Sequence, residues 1–355
     1  MGAPSRVHTP RRSSTRPPEP RRRETRRASL RICLLTNQDL LADPFWEGDW
    51  PCDPRPFAPE AAWTVEYVER KSSVAQVERR IAEGFDLFFN LCDGSAAQDE
   101  WPGLEVVQTL EAHGVPFTGA TSTFFEPSRA EMKAACDVVG IDTPAWVLAR
   151  TDADIDRAAR TLRFPLFVKH YTSYASVGLT RRSKVATPAG LRQQARKMIR
   201  RYGAALVEEF IDGDEYTVLV AEDPESPDTP RTYRPIRYRF PEGESFKHES
   251  MKWDDSDQLV AEPMDDGPLS ELLRDVSARF FVALGGTGFG RCDIRVDRTG
   301  RPFMLEINAN CGIYYPPASA GGADLCLLHD EDGHRGFTDR LIAAAFARHR
   351  RSASR

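Results

Sequence analysis

The residues best placed to do chemistry sit near the C-terminal end, in GRCDIRVDRTGRPFMLEINANC, residues 290–311. The stretch reads as two short strands around a turn at 297–300. Residues i and i+2 share a face of a strand. Arg291 therefore lies with Asp293, and Glu306 with Asn308, while Cys292, Ile294, Leu305 and Ile307 face the other way. Two carboxylates and an amide oxygen are hard ligands of the kind Mg²⁺ takes, its shell completed by water and phosphate oxygens. An arginine on the same face would grip a phosphate with its forked guanidinium. The plainer alternative is a half-buried hairpin that turns its polar groups to water.

Two more segments carry usable groups. In FPLFVKHYTSYASVGLT, Lys169 ends an apolar strand, and Ser176 and Gly178 follow in a small-residue turn whose backbone N–H groups could approach phosphates. A strand-ending surface lysine before a hairpin loop reads the same way. In LVEEFIDGDEYTV, Phe210 and Ile211 are apolar, whereas Glu208, Glu209 and Glu215 are not. A purine needs an apolar slot, an acceptor for its amino group, a backbone N–H and a carboxylate for the ribose. This segment could supply all four, or be a hairpin with solvated acids. GGTGFG, residues 285–290, has neither dinucleotide-loop nor Walker spacing and reads as a helix end turning into a strand. Cys311 lacks an evident histidine partner and reads as a small apolar filler.

The elements that must position these groups alternate in type. Residues 30–37, 85–94 and 115–120 read as strands, and 77–84 and 105–113 as helices, an α/β layer with parallel strands. SRAEMKAACDVVGI is a helix with an N-cap Ser128, Glu131 three residues on and a Gly140 stop. A strand follows TPAW, then strands at 164–171 and within 205–223, and helices at 191–203 and 270–285.

Composition sets the outer limits. At 355 residues the chain exceeds the usual single domain. Its 41% hydrophobic and 28% charged content is that of a soluble globular protein, and no apolar run approaches membrane-spanning length. Seven cysteines, an odd number with no C-x-x-C pair, point away from disulfides and zinc and towards a reducing, cytoplasmic compartment. Residues 1–31 hold ten arginines against Glu19 and Glu24, although the whole chain carries −5. That head reads first as a disordered basic tail, next as an organelle targeting segment and last as a nucleic-acid arm. An acidic body disfavours nucleic acid as a partner.

Taken together and in this order, the segments resemble the ATP-grasp superfamily, most closely its D-alanine–D-alanine ligase branch, over residues 30–312. Beyond the disordered or targeting segment (1–30), the resemblance implies an N-terminal α/β domain (31–127) and an α+β ATP-grasp domain of two lobes, central (128–206) and C-terminal (207–348). It implies that Lys133, Lys169 and Ser176 contact ATP phosphates, and that Glu208, Glu209, Phe210, Ile211 and Glu215 hold adenine and ribose. Lys252, in a lid around 240–258 with Gly243 as hinge, and Arg291 steady the transferring phosphate. Asp293, Glu306 and Asn308 hold two Mg²⁺ ions, with Mn²⁺ as a substitute. The implied reaction joins a small carboxylate, such as an amino acid, to an amine through an acyl phosphate. A homodimer is implied by analogy.

The departures from the family lie on the substrate side. TNQDLLADPFWEGDW offers no equivalent of the family's ammonium-binding glutamate; Ala175 and Trp253 replace its serine and tyrosine partners; Asp93 stands where the family has histidine. NANCGIYYPP replaces the family's second-substrate segment. Trp253, Tyr314 and Tyr315 are expected to shape a site for a larger or flatter substrate. Two other readings are a catalytically silent ATP-binding module and an acyl-phosphate ligase with a non-amine acceptor.

Overall fold

A computed structural model describes residues 29–37, 53–95, 101–172, 178–248 and 259–354. Three sheets organise it. The first is parallel and has the order β2–β1–β3, from β1 (Arg31–Thr36), β2 (Ala62–Tyr67) and β3 (Leu87–Asn90). Ile32 to Thr36 are all buried, as an unbroken apolar run in a parallel sheet should be. Helix α1 (Ser73–Ala82) links β2 to β3, and α2 (Leu104–Ala112) follows β3. The strand expected at 115–120 shrinks to a single bridge between Phe88 and Phe117.

Helix α3 (Arg129–Val139) starts at the expected capping box of Ser128 and Glu131 and stops at Gly140, whose φ is +65°. A second sheet, antiparallel, follows. Its order is β4–β7–β5–β6, from β4 (Trp146–Ala149), β5 (Leu166–Lys169), β6 (Lys184–Val185) and β7 (Ala205–Glu209). Helices α4 (Asp152–Thr161) and α5 (Pro188–Tyr202) close its core around Ile155, Leu166, Leu191 and Val207.

The third sheet has six strands: β8 (Gly213–Ala221), β9 (Arg231–Thr232), β10 (Ile236–Arg239), β11 (Val260–Pro263), β12 (Phe289–Asp297) and β13 (Pro302–Ala309). Helix α6 (Pro268–Ala283) covers one face, and α7 (Gly322–Leu328) and α8 (Gly333–Ala353) lie towards the other. β8 alternates strictly. Tyr216, Val218 and Val220 join the core beneath α6, whereas Leu219 and Ala221 join the core that holds Phe337 and Leu341 of α8.

Two expected boundaries change. β7 pairs with β4 and β5 through Glu209, so a division after residue 206 cuts a strand. The link to β8 is no hairpin, because the two strands belong to different sheets. α3 packs Met132, Ala135 and Cys136 into the core shared by the first and third sheets. By strand pairing and core, the separate unit runs from β4 to β7, and the first and third sheets form one packed body around it. Among the described residues no helix is long and apolar enough to cross a membrane.

Candidate active site

The β12–β13 hairpin forms as the spacing required. Arg291 stands opposite Asn308, and Asp293 opposite Glu306. A bulge after Asp293 shifts the register, so that Ile294 meets Met304. Met304, not Leu305, therefore joins Cys292, Ile294 and Ile307 in the core, and Leu305 is only half-buried. An extra residue in one strand reverses the alternation beyond it, a phase change that simple two-residue counting missed. The turn is held by Asp297, whose Oδ1 accepts from the Thr299 and Arg301 backbone N–H groups at 2.8 and 3.1 Å.

On the other face charges meet. Arg291 Nη2 and Nε lie 3.2 and 3.3 Å from the two Asp293 oxygens, and Thr217 Oγ1 on β8 donates to Asp293 Oδ1 at 2.8 Å. Burial alone would push the Asp293 carboxyl up. Arg291 and Lys247 outweigh it and hold the carboxyl below the usual range. Asn308 Nδ2 lies 3.1 Å from Asp293 and 3.5 Å from Glu306, so the three groups converge. Arg129 of α3 pairs with Glu306.

The nucleotide-side residues assemble across two units. Glu208 of β7 is bridged by Lys133 Nζ at 2.6 Å and Lys169 Nζ at 2.7 Å. Burial would raise the Glu208 pKa, but the two ammonium groups bring it down to about 2. Burial lowers Lys169 to about 8 against the pull of Glu208. Lys133 also donates to Thr143 Oγ1 at 2.9 Å, which in turn donates to the Met304 carbonyl. Both carboxylates are thus neither solvated nor on one face. Glu209, next along the strand, points the opposite way and is held by Arg163 at 2.8 Å. Its side chain thus lies away from the face that carries Glu208.

Phe210 receives Lys184 Nζ 3.8 Å above its ring, and its N–H donates to the Pro165 carbonyl. The Ile211 carbonyl accepts from Arg295 Nε at 2.8 Å. Glu215 pairs with Arg295 at 3.2 Å and Lys247 at 3.3 Å. Ser176, Lys252, Ala175, Trp253 and residues 1–28 lie outside the described residues. The strand spacing that flagged Arg291 and Asp293 also flags Arg295 one step further, and Arg129 sits one helical turn before Lys133. Thr217 and Lys247 gave no comparable sequence signal.

A pocket opens where β1 and β3 end, the usual ligand position in a parallel sheet. Thr36, Asn37, Asp93, Cys311 and Tyr315 line it. Asn37 Nδ2 donates to Asp93 at 2.9 Å, and desolvation raises the Asp93 carboxyl. Asn310, at φ +48°, donates to the Cys92 carbonyl and fastens the β12–β13 hairpin to this loop. The Cys311 thiol is pushed up by burial to about 12, consistent with a filler rather than a nucleophile. Tyr314 is not a substrate contact. It is 3% exposed, its hydroxyl meets Thr338 at 2.9 Å, and its N–H donates to Asp324. Of the three aromatic residues expected at the substrate, Tyr315 alone is placed at the pocket among the described residues.

A charged strand-pair face roofed by a separate antiparallel lobe defines an ATP-grasp enzyme. The family model described as "D-ala D-ala ligase C-terminus" matches residues 135–315. An uncharacterized protein of Sinorhizobium fredii, y4sG, is 31% identical over 66% of this chain and 68% of its own length. A D-alanine–D-alanine ligase of Laribacter hongkongensis is 30% identical over 65% of this chain and 71% of its own. The crystal structure of D-alanine–D-alanine ligase from Bacillus anthracis complexed with ATP superposes with a TM-score of 0.63 at 16% identity, covering 91% of this chain and 99% of that one. The chain belongs to the D-alanine–D-alanine ligase family of ATP-grasp ligases.

Proposed function

We propose that this ATP-grasp ligase joins the carboxylate of a small amino acid to an amine. The observation that carries this reading is the convergence of Arg291, Asp293, Glu306 and Asn308 on one face of the β12–β13 pair. Carboxylates are poor electrophiles because an oxide-like oxygen must leave. Transfer of the γ-phosphoryl group from ATP gives an acyl phosphate and ADP. The amine then attacks the acyl carbon, phosphate leaves with the C–O bond electrons, and the nitrogen loses a proton. Arg291 would neutralise charge on the moving phosphoryl group, and Lys133 and Lys169 would hold the phosphates in place. Glu215 would accept from the ribose hydroxyls.

Asp293, Glu306 and Asn308 suit a hard divalent ion. Two carboxylates with an amide are few ligands, and Mg²⁺ commonly takes the remainder from phosphates and water. When bound, the ion would screen the phosphate charge. Arg129, now paired with Glu306, balances that carboxylate in the ligand-free chain.

The pocket favours an amino acid over a diacid. Its described lining contains the carboxylate of Asp93 and no lysine, arginine or histidine. An ammonium would be stabilised there and a second carboxylate repelled.

The test is phosphate release from Mg-ATP across a panel of amino acids and amines, with the product read by mass spectrometry. Release that depends on one acid and one amine, with a product lighter by one water, is expected. ATP turnover that needs no acid, or a product carrying a new ester or thioester, would overturn the reading.

A further inference from the structure

We propose that Lys247 is a phosphate-binding residue of the ATP site, standing on the path the triphosphate follows between Glu215 and Asp293. The inference rests on the assignment of Glu215 to ribose and Asp293 to the metal, made above. The sheet register fixes how near those two acids are. Glu215 of β8 is opposite Arg295 of β12, and Asp293 is the next residue of β12 on the same face. Diagonal neighbours of this kind stand about 7–8 Å apart. A nucleotide with its ribose at one acid and its phosphates at the other must lay the triphosphate across that diagonal.

Lys247 stands there. Its Nζ is 3.3 Å from Glu215 Oε1 and 3.1 Å from the centre of the Tyr238 ring. Tyr238 is the residue of β10 opposite Glu215. The ammonium thus stands at the Glu215 end of the diagonal, beside the face of β12 that carries Arg295 and Asp293. An ammonium has three donors, and among the described residues Glu215 is its one oxygen partner, leaving donors for phosphate oxygens.

The segment around Lys247 is held at several points. Phe246 is 6% exposed, its ring centre 4.9 Å from that of Phe167. The Ser245 side chain accepts from Lys184 at 3.1 Å, and its carbonyl accepts from Arg295 at 2.9 Å. Glu244 pairs with Arg181. These contacts reach both the β4–β7 unit and the six-stranded sheet, so the lysine is carried by an anchored strap. A surface lysine would have no such neighbours.

The experiment measures dissociation constants of adenosine, AMP, ADP and ATP, with Mg²⁺, by calorimetry on the full chain, K247M and K247R. It needs no knowledge of the carboxylate substrate. K247M is expected to weaken ADP and ATP by at least about tenfold, the loss of one charge-assisted hydrogen bond. Adenosine should bind as before, and K247R should recover most of the lost affinity. If K247M weakens adenosine as much as ATP, the lysine merely packs the strap and the inference falls. Unchanged ATP binding in K247M overturns it equally. K247Q, which keeps the stem over Tyr238, replaces K247M if that variant does not fold. An unaltered chain that binds no adenine nucleotide would sink the ATP-site reading and this inference together.

Discussion

The nucleotide side and the pocket side of this site handle negative charge in opposite ways. On the nucleotide side each acid has a basic partner: Glu208 has Lys133 and Lys169, Glu215 has Arg295 and Lys247, Asp293 has Arg291, and Glu306 has Arg129. In the pocket, Asp93 has only the neutral amide of Asn37 among the described residues. The first arrangement is balanced before any ligand arrives, and a polyanion enters by exchanging partners. The second is left short of one positive charge, which a cationic substrate would bring. In the proposed reading the two sides would therefore take two ligand chemistries within one active site.

Breaking the nucleotide side should cost most. Asp293→Asn is expected to reduce acid-dependent phosphate release by about a hundred- to a thousandfold, a loss on the scale of a missing electrostatic stabiliser. A steady-state phosphate assay decides it, and activity within about fivefold of the unaltered chain would remove Asp293 from the machinery. Glu208→Gln strands two buried ammonium groups, so unfolding in denaturant should show a loss of about 3–5 kcal/mol. A midpoint that does not move would mean the pair contributes nothing net.

The pocket side should respond more gently and selectively. Asp93→Asn is expected to raise KM for the amino acid by about tenfold, as for one lost charged contact, while KM for ATP stays put. Equal effects on both would erase the distinction between the two sides. The smallest effect is in pH. Burial brings Lys169 down to about 8 in the free chain, and in the proposed reading its charged form holds phosphate. So kcat/KM for ATP should fall as pH rises past about 8, and Lys169→Arg should remove that decline. A decline that survives in Lys169→Arg belongs to another group.

What the sequence revealed follows the same divide. The β12–β13 hairpin was readable because strand alternation places four chemically matched residues on one face, and the capping box and Gly140 marked α3 at both ends. Family resemblance pointed to Lys133, Lys169 and Glu215, but it could not show that Glu208 and Glu209 point to opposite faces. That depends on which strands β7 joins, a non-local fact. The bulge after Asp293 escaped notice for the same reason. α4 was missed although Thr151 and Asp154 form a capping box, because its many charged residues (Asp152, Asp154, Asp156, Arg157, Arg160) masked a short apolar stripe. Tyr314 looked like a substrate contact because an aromatic in a loop beside a site invites that reading. Its burial comes from α8, whose Phe337 and Leu341 lie far along the chain.

Lys133 belongs to the packed body, whereas Lys169 and Glu208 belong to the β4–β7 unit. Their ion pair therefore ties the two together. Were the unit to swing outward like a jaw, Lys133 would leave Glu208 and a charge that burial had enclosed would be exposed, so the pair would act as a latch. In the proposed reading an incoming triphosphate competes for those same two ammonium groups, so the ligand that needs the jaw open also loosens its latch. How tightly ATP is gripped and how readily the jaw swings would then be one quantity, and a substitution made to tune either would retune the other.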